Sequence, residues 1–139
     1  MNKYYLIFMT ILSCAMALLS CAETKRNASL DDSLTMYEKA IRWSEFGRAS
    51  KYLKDSENTD LSELEGIKVT SYQPAGRNVA DGGLTVEETV KINFTLAGSQ
   101  TEQTIVDRQI WEYDEEKNRW HLTTSLPDFT AASHRGYGR

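Results

Sequence analysis

Cysteine is almost missing from this chain: Cys14 and Cys21 are the only two in 139 residues, and everything after residue 21 has none. That stretch therefore has no thiol for a disulfide, a thiolate metal site or a cysteine nucleophile. Histidine is nearly as scarce, with only His121 and His134. Basic residues are outnumbered, sixteen against twenty acids, for a net charge of −4. An acidic balance argues against nucleic acid as the partner and against electrostatic binding to anionic lipid. There is no internal repeat and no long low-complexity segment. No cofactor motif appears, and the acidic stretch Asp55, Glu57, Asp60, Glu63 and Glu65 lacks the glycine and ligand spacing of a calcium loop. Neither a metal nor an organic cofactor is expected.

The N-terminus does carry a pattern. Lys3 is followed by a charge-free, mostly apolar run from Tyr4 to Leu19. A basic start, an apolar core and small residues near a cut site are the marks of a secretory signal. The run also reaches the lower length limit of a spanning helix, so a retained anchor is the competing reading. Leu18-Leu19-Ser20-Cys21 resembles the bacterial lipobox, with leucine at −3, a small residue at −1 and then cysteine. The resemblance implies cleavage before Cys21, lipid on its sulfur and attachment to the cell envelope. Ala22 in place of an aspartate leans toward the outer membrane, facing the periplasm. Several acyl chains give lasting anchorage where one gives only marginal binding. Cys14 leaves with the signal on this reading.

Four segments are expected: a signal over 1–20, a lipidated tether over 21–29, one domain over 30–129 and a flexible tail over 130–139. The domain opens with helical spacing at Leu34, Tyr37, Ile41, Phe46, Ala49, Tyr52 and Leu53, with Ser29 or Asp31 as candidate caps. Gly47 suggests a break near residues 43–47, making two short helices. From Ile67 the period changes to two. Ile67 to Tyr72 forms a first strand that ends at Pro74, which cannot donate to a ladder. Val86 to Leu96 alternates cleanly, with Val90, Ile92, Phe94 and Leu96 on one face. Thr104 to Tyr113 and Arg119 to Ser125 complete a meander. A helical segment followed by four antiparallel strands predicts an α+β fold, the helix packed on one sheet face.

Element order and aromatic placement here resemble the cystatin-like, nuclear-transport-factor-2-like group of small bacterial lipoproteins. The residues carrying the resemblance are Tyr37 to Leu53 with Trp43 and Phe46, then Trp111-Glu112-Tyr113, Trp120-His121-Leu122 and Leu126-Pro127. That superfamily includes enzymes, ligand binders and dimerisation modules, so fold does not settle function.

The third strand is apolar on both faces, with Ile105, Trp111 and Tyr113 on one and Val106 and Ile110 on the other. A sheet with one wet face should not read so. A cover over the second face is expected: a second copy of the chain, an envelope protein or the C-terminal segment. Asp107, Trp111, Tyr113 and His121 are the candidate pocket residues. Asp107 shares the parity of Trp111 and Tyr113, but an ion pair or a place near the strand end is the simpler account. His121 has a neutral-range pKa suited to a base, yet it alternates with Trp120 and Leu122 and so should face out. Residues 73–84 exceed hairpin length and form a candidate binding loop, with Arg77, Asn78 and Asp81 as its polar contacts. No catalytic constellation emerges. A non-catalytic, lipid-anchored association domain is the first expectation. A helix–sheet pocket for a small ligand or substrate, and an enzyme inhibitor acting through 73–84, are the alternatives.

Overall fold

A computed structural model describes the backbone of residues 3–130 and the side chains of residues 21–130 other than Asn58. The apolar run over 4–19, Cys14 and the tail with His134 lie outside the described side chains. Among the described residues no helix is long and apolar enough to cross a membrane. The chain divides into two units, Met1–Asp32 and Ser33–Arg139.

Helix α1 spans Lys3–Arg42, so neither Ser29 nor Asp31 caps a helix start, as their residue types had suggested. Ser29 instead turns its hydroxyl back to the Arg26 carbonyl at 2.9 Å, a bond that a mid-helix serine can make without ending the helix. The tether 23–27 is helical as well.

The second unit begins within α1 and holds the α+β domain. Leu34, Tyr37, Ala40 and Ile41 are buried on one helix face, and that face lies on the sheet. The expected break occurs where the sequence placed it. The Ser44 amide bonds the Ile41 carbonyl at 2.9 Å and the Glu45 amide the Ala40 carbonyl at 2.8 Å. This is a Schellman ending, with Ser44 at φ 56° in the position that glycine usually takes. The Ser44 hydroxyl also accepts the Val69 amide at 3.0 Å, tying the helix end to the first strand. A single turn, α2 (Phe46–Ala49), and 3-10 turns at Ser50–Tyr52, Ser56–Asn58 and Ser62–Leu64 follow.

The sheet is an antiparallel meander, β1 (Ile67–Ala80), β2 (Thr85–Leu96), β3 (Gln103–Asp114) and β4 (Arg119–Leu122), in that spatial order. Here two expectations are corrected. The first strand does not end at Pro74, and 73–84 is not a loop. Pro74 pairs with Val90, Arg77 with Glu88, and the ladder continues to Ala80 opposite Thr85. An edge strand tolerates proline, and register shifts on either side of it absorb the irregularity. Asp81, Gly82 and Gly83 all have positive φ and make the tight turn. The fourth strand is also shorter than expected, closing at Leu122.

Beneath the helix, Ile67, Val69, Ile92, Phe94 and Ile105 form the apolar end of the sheet. Phe129 closes it, its ring 4.9 Å from Phe94 and 5.6 Å from Phe46. Burying each such side chain is worth about 1.5–3 kcal/mol. On the opposite face Val106 is 63 % exposed. It pairs with Lys91 amid Glu87–Arg108, Asn93–Glu102 and Thr104–Asn93 contacts. That face is wet and polar around one valine. Ile110 is partly covered by the chain after β4, where the Thr123 amide bonds the Ile110 carbonyl at 2.8 Å.

Gly66 joins the 3-10 turns to β1 at φ +78°, and a Cβ there would meet that of Ala97 at 3.0 Å. Gly76 has no neighbour within 4 Å of such a Cβ. Gly66→Ala should therefore cost about 1–2 kcal/mol in urea denaturation, while Gly76→Ala stays neutral or gains slightly. Equal losses would show that backbone strain at Gly66 is not what the glycine relieves.

Candidate functional site

Away from Phe94, the helix-facing side of the sheet turns polar. The register places Arg77, Glu88 and Gln109 in one row across β1, β2 and β3. Glu88 and Gln109 are 4 % and 0 % exposed. Arg77 reaches the Glu88 carboxylate at 3.2 Å. Gln109 is the hub. Its Nε2 donates to Asp107 Oδ2 at 2.8 Å and to the Tyr72 hydroxyl at 3.0 Å. Its Oε1 accepts from Trp111 Nε1 at 3.2 Å and lies 3.4 Å from the Tyr72 hydroxyl. A fully buried carboxamide is thus satisfied at both ends.

Tyr37 lies across this hub. Its ring makes edge contacts with Trp111 at 5.2 Å and Tyr52 at 6.0 Å, and Tyr52 meets Trp111 at 5.9 Å. Such pairs add about 0.5–1.5 kcal/mol beyond burial. The Tyr37 hydroxyl is buried without a hydrogen-bond partner. Burial, then the nearby Asp107 charge, pushes its pKa well above the usual tyrosine value. Burial likewise raises Tyr72. Asp107 is raised from the normal carboxylate value by burial, against the opposing Gln109 bond.

The four candidate pocket residues are not all together. Asp107 and Trp111 meet through Gln109. Tyr113 is on the same strand face but turns toward the β3–β4 turn, where its ring is 5.3 Å from Trp120 and its hydroxyl donates to Asn118 Oδ1 at 3.3 Å. His121 pairs with Glu112 on the opposite face, as its alternation with Trp120 and Leu122 required. It is nevertheless only 5 % exposed. Arg119 Nε donates to His121 Nε2 at 3.1 Å. Burial first, then the Arg119 charge, lowers the histidine pKa, and Asp114 at 3.6 Å only partly opposes this. With its pKa lowered, it accepts the Arg119 bond as the neutral imidazole.

Of the three loop candidates, Arg77 and Asn78 are strand residues and Asp81 sits in the turn. Arg77 is engaged with Glu88; Asn78 and Asp81 are exposed. Cys21 is a free, exposed thiol in the first unit. Among the described residues no group of three or more His, Cys, Asp or Glu side chains comes close enough to hold a metal ion. Surface depressions of about 190–480 Å³ lie along 59–64 with 125–130, along 53–59 with 122–126, beside Met36, Arg48 and Lys51, along 44–47 with 61–67, and along 66–68 with 95–99. None is lined by Tyr37, Tyr72, Asp107, Gln109 or Trp111. The sequence reading missed Tyr37, Glu88 and Gln109 as members of the polar cluster. Only parity could have found the last two, since both occupy inward positions. The chain matches no protein-family model, no curated protein and no solved structure.

Two outcomes follow. Tyr37→Phe removes a buried hydroxyl that bonds nothing, so the urea midpoint should rise, by about 1 kcal/mol in stability; Tyr72→Phe, which breaks the Gln109 contacts, should lower it. If both fall alike, the Tyr37 hydroxyl has a partner after all.

The Asp107 carboxyl binds its proton more tightly folded than unfolded. Between the two pKa values the native state holds more protons, so stability falls as pH rises. The contribution is fully present below about pH 3.9, the unfolded value, and is lost as pH climbs through the higher folded one. Asp107→Asn keeps an acceptor for Gln109 and should flatten that part of the stability–pH curve. An unchanged curve would assign the slope to another group.

Proposed function

We propose that this chain is a lipid-anchored protein of the bacterial cell envelope, held through Cys21 and facing the periplasm. Its α+β domain holds a protein partner and does not catalyse a reaction. The Leu18-Leu19-Ser20-Cys21 resemblance to a lipobox supports the anchor. One observation carries the association role: β1 is an edge strand whose residues 73–80 are all exposed. Most of the inward polar groups, Tyr72, Asp107, Gln109, Arg77 and Glu88, by contrast bond one another beneath the helix. What remains for recognition is the far half of the β1–β2 hairpin, with Asn78, Val79 and Asp81 outermost. Edge strands present backbone groups to an added strand or a docking chain, and the partner is a second copy or another envelope protein.

The unpartnered Tyr37 hydroxyl favours a second reading, in which a small polar ligand enters between helix and sheet and Asp107 faces it. Under that reading Tyr37→Phe abolishes a ligand-induced thermal shift; under the first it changes only stability.

Intact mass and membrane fractionation of the native chain beside Cys21→Ala test the anchor. The native protein should be acylated and membrane-bound, the variant soluble or unprocessed; identical behaviour would overturn the anchor. Val79→Asp should weaken association, read as loss of the dimer or of a cross-linked envelope partner, with an unchanged thermal midpoint. His121→Ala should leave association intact. Undiminished association in Val79→Asp would move the interface off the hairpin.

A further inference from the structure

The exposed side of α1 in the second unit carries a feature that the acidic balance of the whole chain conceals. Met36 and Trp43 are two helical turns apart and so share one stripe, with Lys39 and Ala40 between them. The Trp43 amide still bonds the Lys39 carbonyl at 3.1 Å, so the stripe holds its helical geometry to its end. Trp43 is 76 % exposed and Met36 47 %. Alongside, Met36, Ala40, Arg48, Lys51 and Tyr52 line a shallow depression of about 190 Å³. Five cations, Lys39, Arg42, Arg48, Lys51 and Lys54, fall within this short stretch. Arg48 is paired with Glu45 and Lys54 with Glu112. Lys39, Arg42 and Lys51 have no ion pair with a described residue.

A tryptophan standing this far into solvent, with unpaired cations beside it, offers both an apolar and a basic contact to a surface that can take them. It suits the boundary of an anionic bilayer, where the indole sits at headgroup level and long basic side chains reach phosphate. We propose that this face of the domain, Met36, Lys39, Arg42, Trp43 and Lys51, rests on a membrane surface rich in anionic phospholipid. The whole-chain charge argues the other way, but screening confines surface electrostatics to about 10 Å, and between residues 36 and 54 five cations face two acids, Glu38 and Glu45, the latter paired with Arg48. The proposal rests on the anchored reading for its local concentration: at most about 50 Å of fully extended chain separates Cys21 from Met36. Its contacts do not involve the acyl chains attached at Cys21.

The test uses the full-length chain with vesicles of phosphatidylcholine, alone or mixed with phosphatidylglycerol, whose acyl chains carry bromine. Trp111 and Trp120 are 0 % and 2 % exposed, so contact quenching reports Trp43. Trp43 emission should shift to the blue and be quenched in the phosphatidylglycerol vesicles, and neither change should occur in phosphatidylcholine alone. Replacing Lys39, Arg42 and Lys51 together by Gln should remove the quenching, since each cation near an anionic surface contributes about fivefold to the equilibrium. Trp43→Phe should abolish the signal and leave flotation unchanged. Quenching that ignores lipid charge, or survives the triple Gln variant, overturns the proposal. Flotation with vesicles reads the anchor separately. A chain that floats without quenching keeps the anchor and loses the docking face; a chain that does not float in phosphatidylcholine yet is quenched by phosphatidylglycerol does the reverse. Shielding of Trp43 from aqueous iodide in native membranes but not in pure lipid would assign the face to an acidic protein and overturn the lipid proposal.

Discussion

A single buried carboxamide constrains the domain. Gln109 is fully inside, yet each end of its side chain is matched, by Asp107, Tyr72 and Trp111. An unsatisfied amide in that position would cost several kcal/mol. The four groups can meet only if β1 and β3 keep their present stagger across β2. Moving β3 by one residue would turn Gln109 to solvent and bring Arg108 and Ile110 beneath the helix. The hub therefore fixes register where the apolar residues alone would not, because Val, Ile and Phe tolerate neighbouring alignments of a sheet.

That solution has a cost close by. Placing a polar hub under α1 also places the Asp107 carboxyl and the Tyr37 hydroxyl there, and neither is as well provided for as Gln109. Tyr37 contributes its ring to the Trp111–Tyr52 contacts but leaves its hydroxyl without a bond. Asp107 accepts one bond from Gln109, yet burial still holds its pKa above the usual carboxylate value. The apolar end around Phe94 and Phe129 has no such conflict. One half of the helix–sheet interface thus supplies stability by burial while the other specifies alignment and holds the less well-paired polar groups.

Much of the fold could be read from the sequence because most inward positions are apolar. Val90, Ile92 and Phe94 announced their strand, Leu34, Tyr37 and Ile41 their helix face, and the alternation around Trp120 placed His121 on the far side. Where inward residues are polar, the reading failed: Glu88 and Gln109 look like solvent-facing positions until the register shows otherwise. The far half of β1 was hidden for a different reason. Gln73 to Ala80 is exposed along its whole length, so no burial pattern marks it, and its proline and glycine imitate a loop. Residue type marked the helix break near 43–47 but not the residue that takes the positive φ, because Ser44 stands where glycine is usual. Its hydroxyl explains the choice: a glycine would relieve the positive φ but leave the Val69 amide without its acceptor.

These constraints divide the molecule into what is committed and what is free. Among the described inward groups, Tyr72, Asp107 and Trp111 bond Gln109 and Arg77 pairs with Glu88, and the wet face of the sheet is occupied by the cross-strand contacts of Glu87, Arg108, Asn93, Glu102 and Thr104. Two surfaces stand outside this internal accounting. One is the edge of β1 beyond Tyr72, which is extended and exposed. The other is the helix stripe from Met36 to Trp43, where Lys39 and Arg42, with Lys51 further along the chain, form no ion pair with a described residue. On the proposed reading of an anchored domain, these two faces are the ones offered to partners. Their chemistry differs: the strand edge suits a chain that brings its own backbone donors and acceptors, the stripe a surface that brings negative charge and apolar depth. A single partner satisfying both would need an acidic, apolar strand, whereas a protein and a bilayer satisfy them separately.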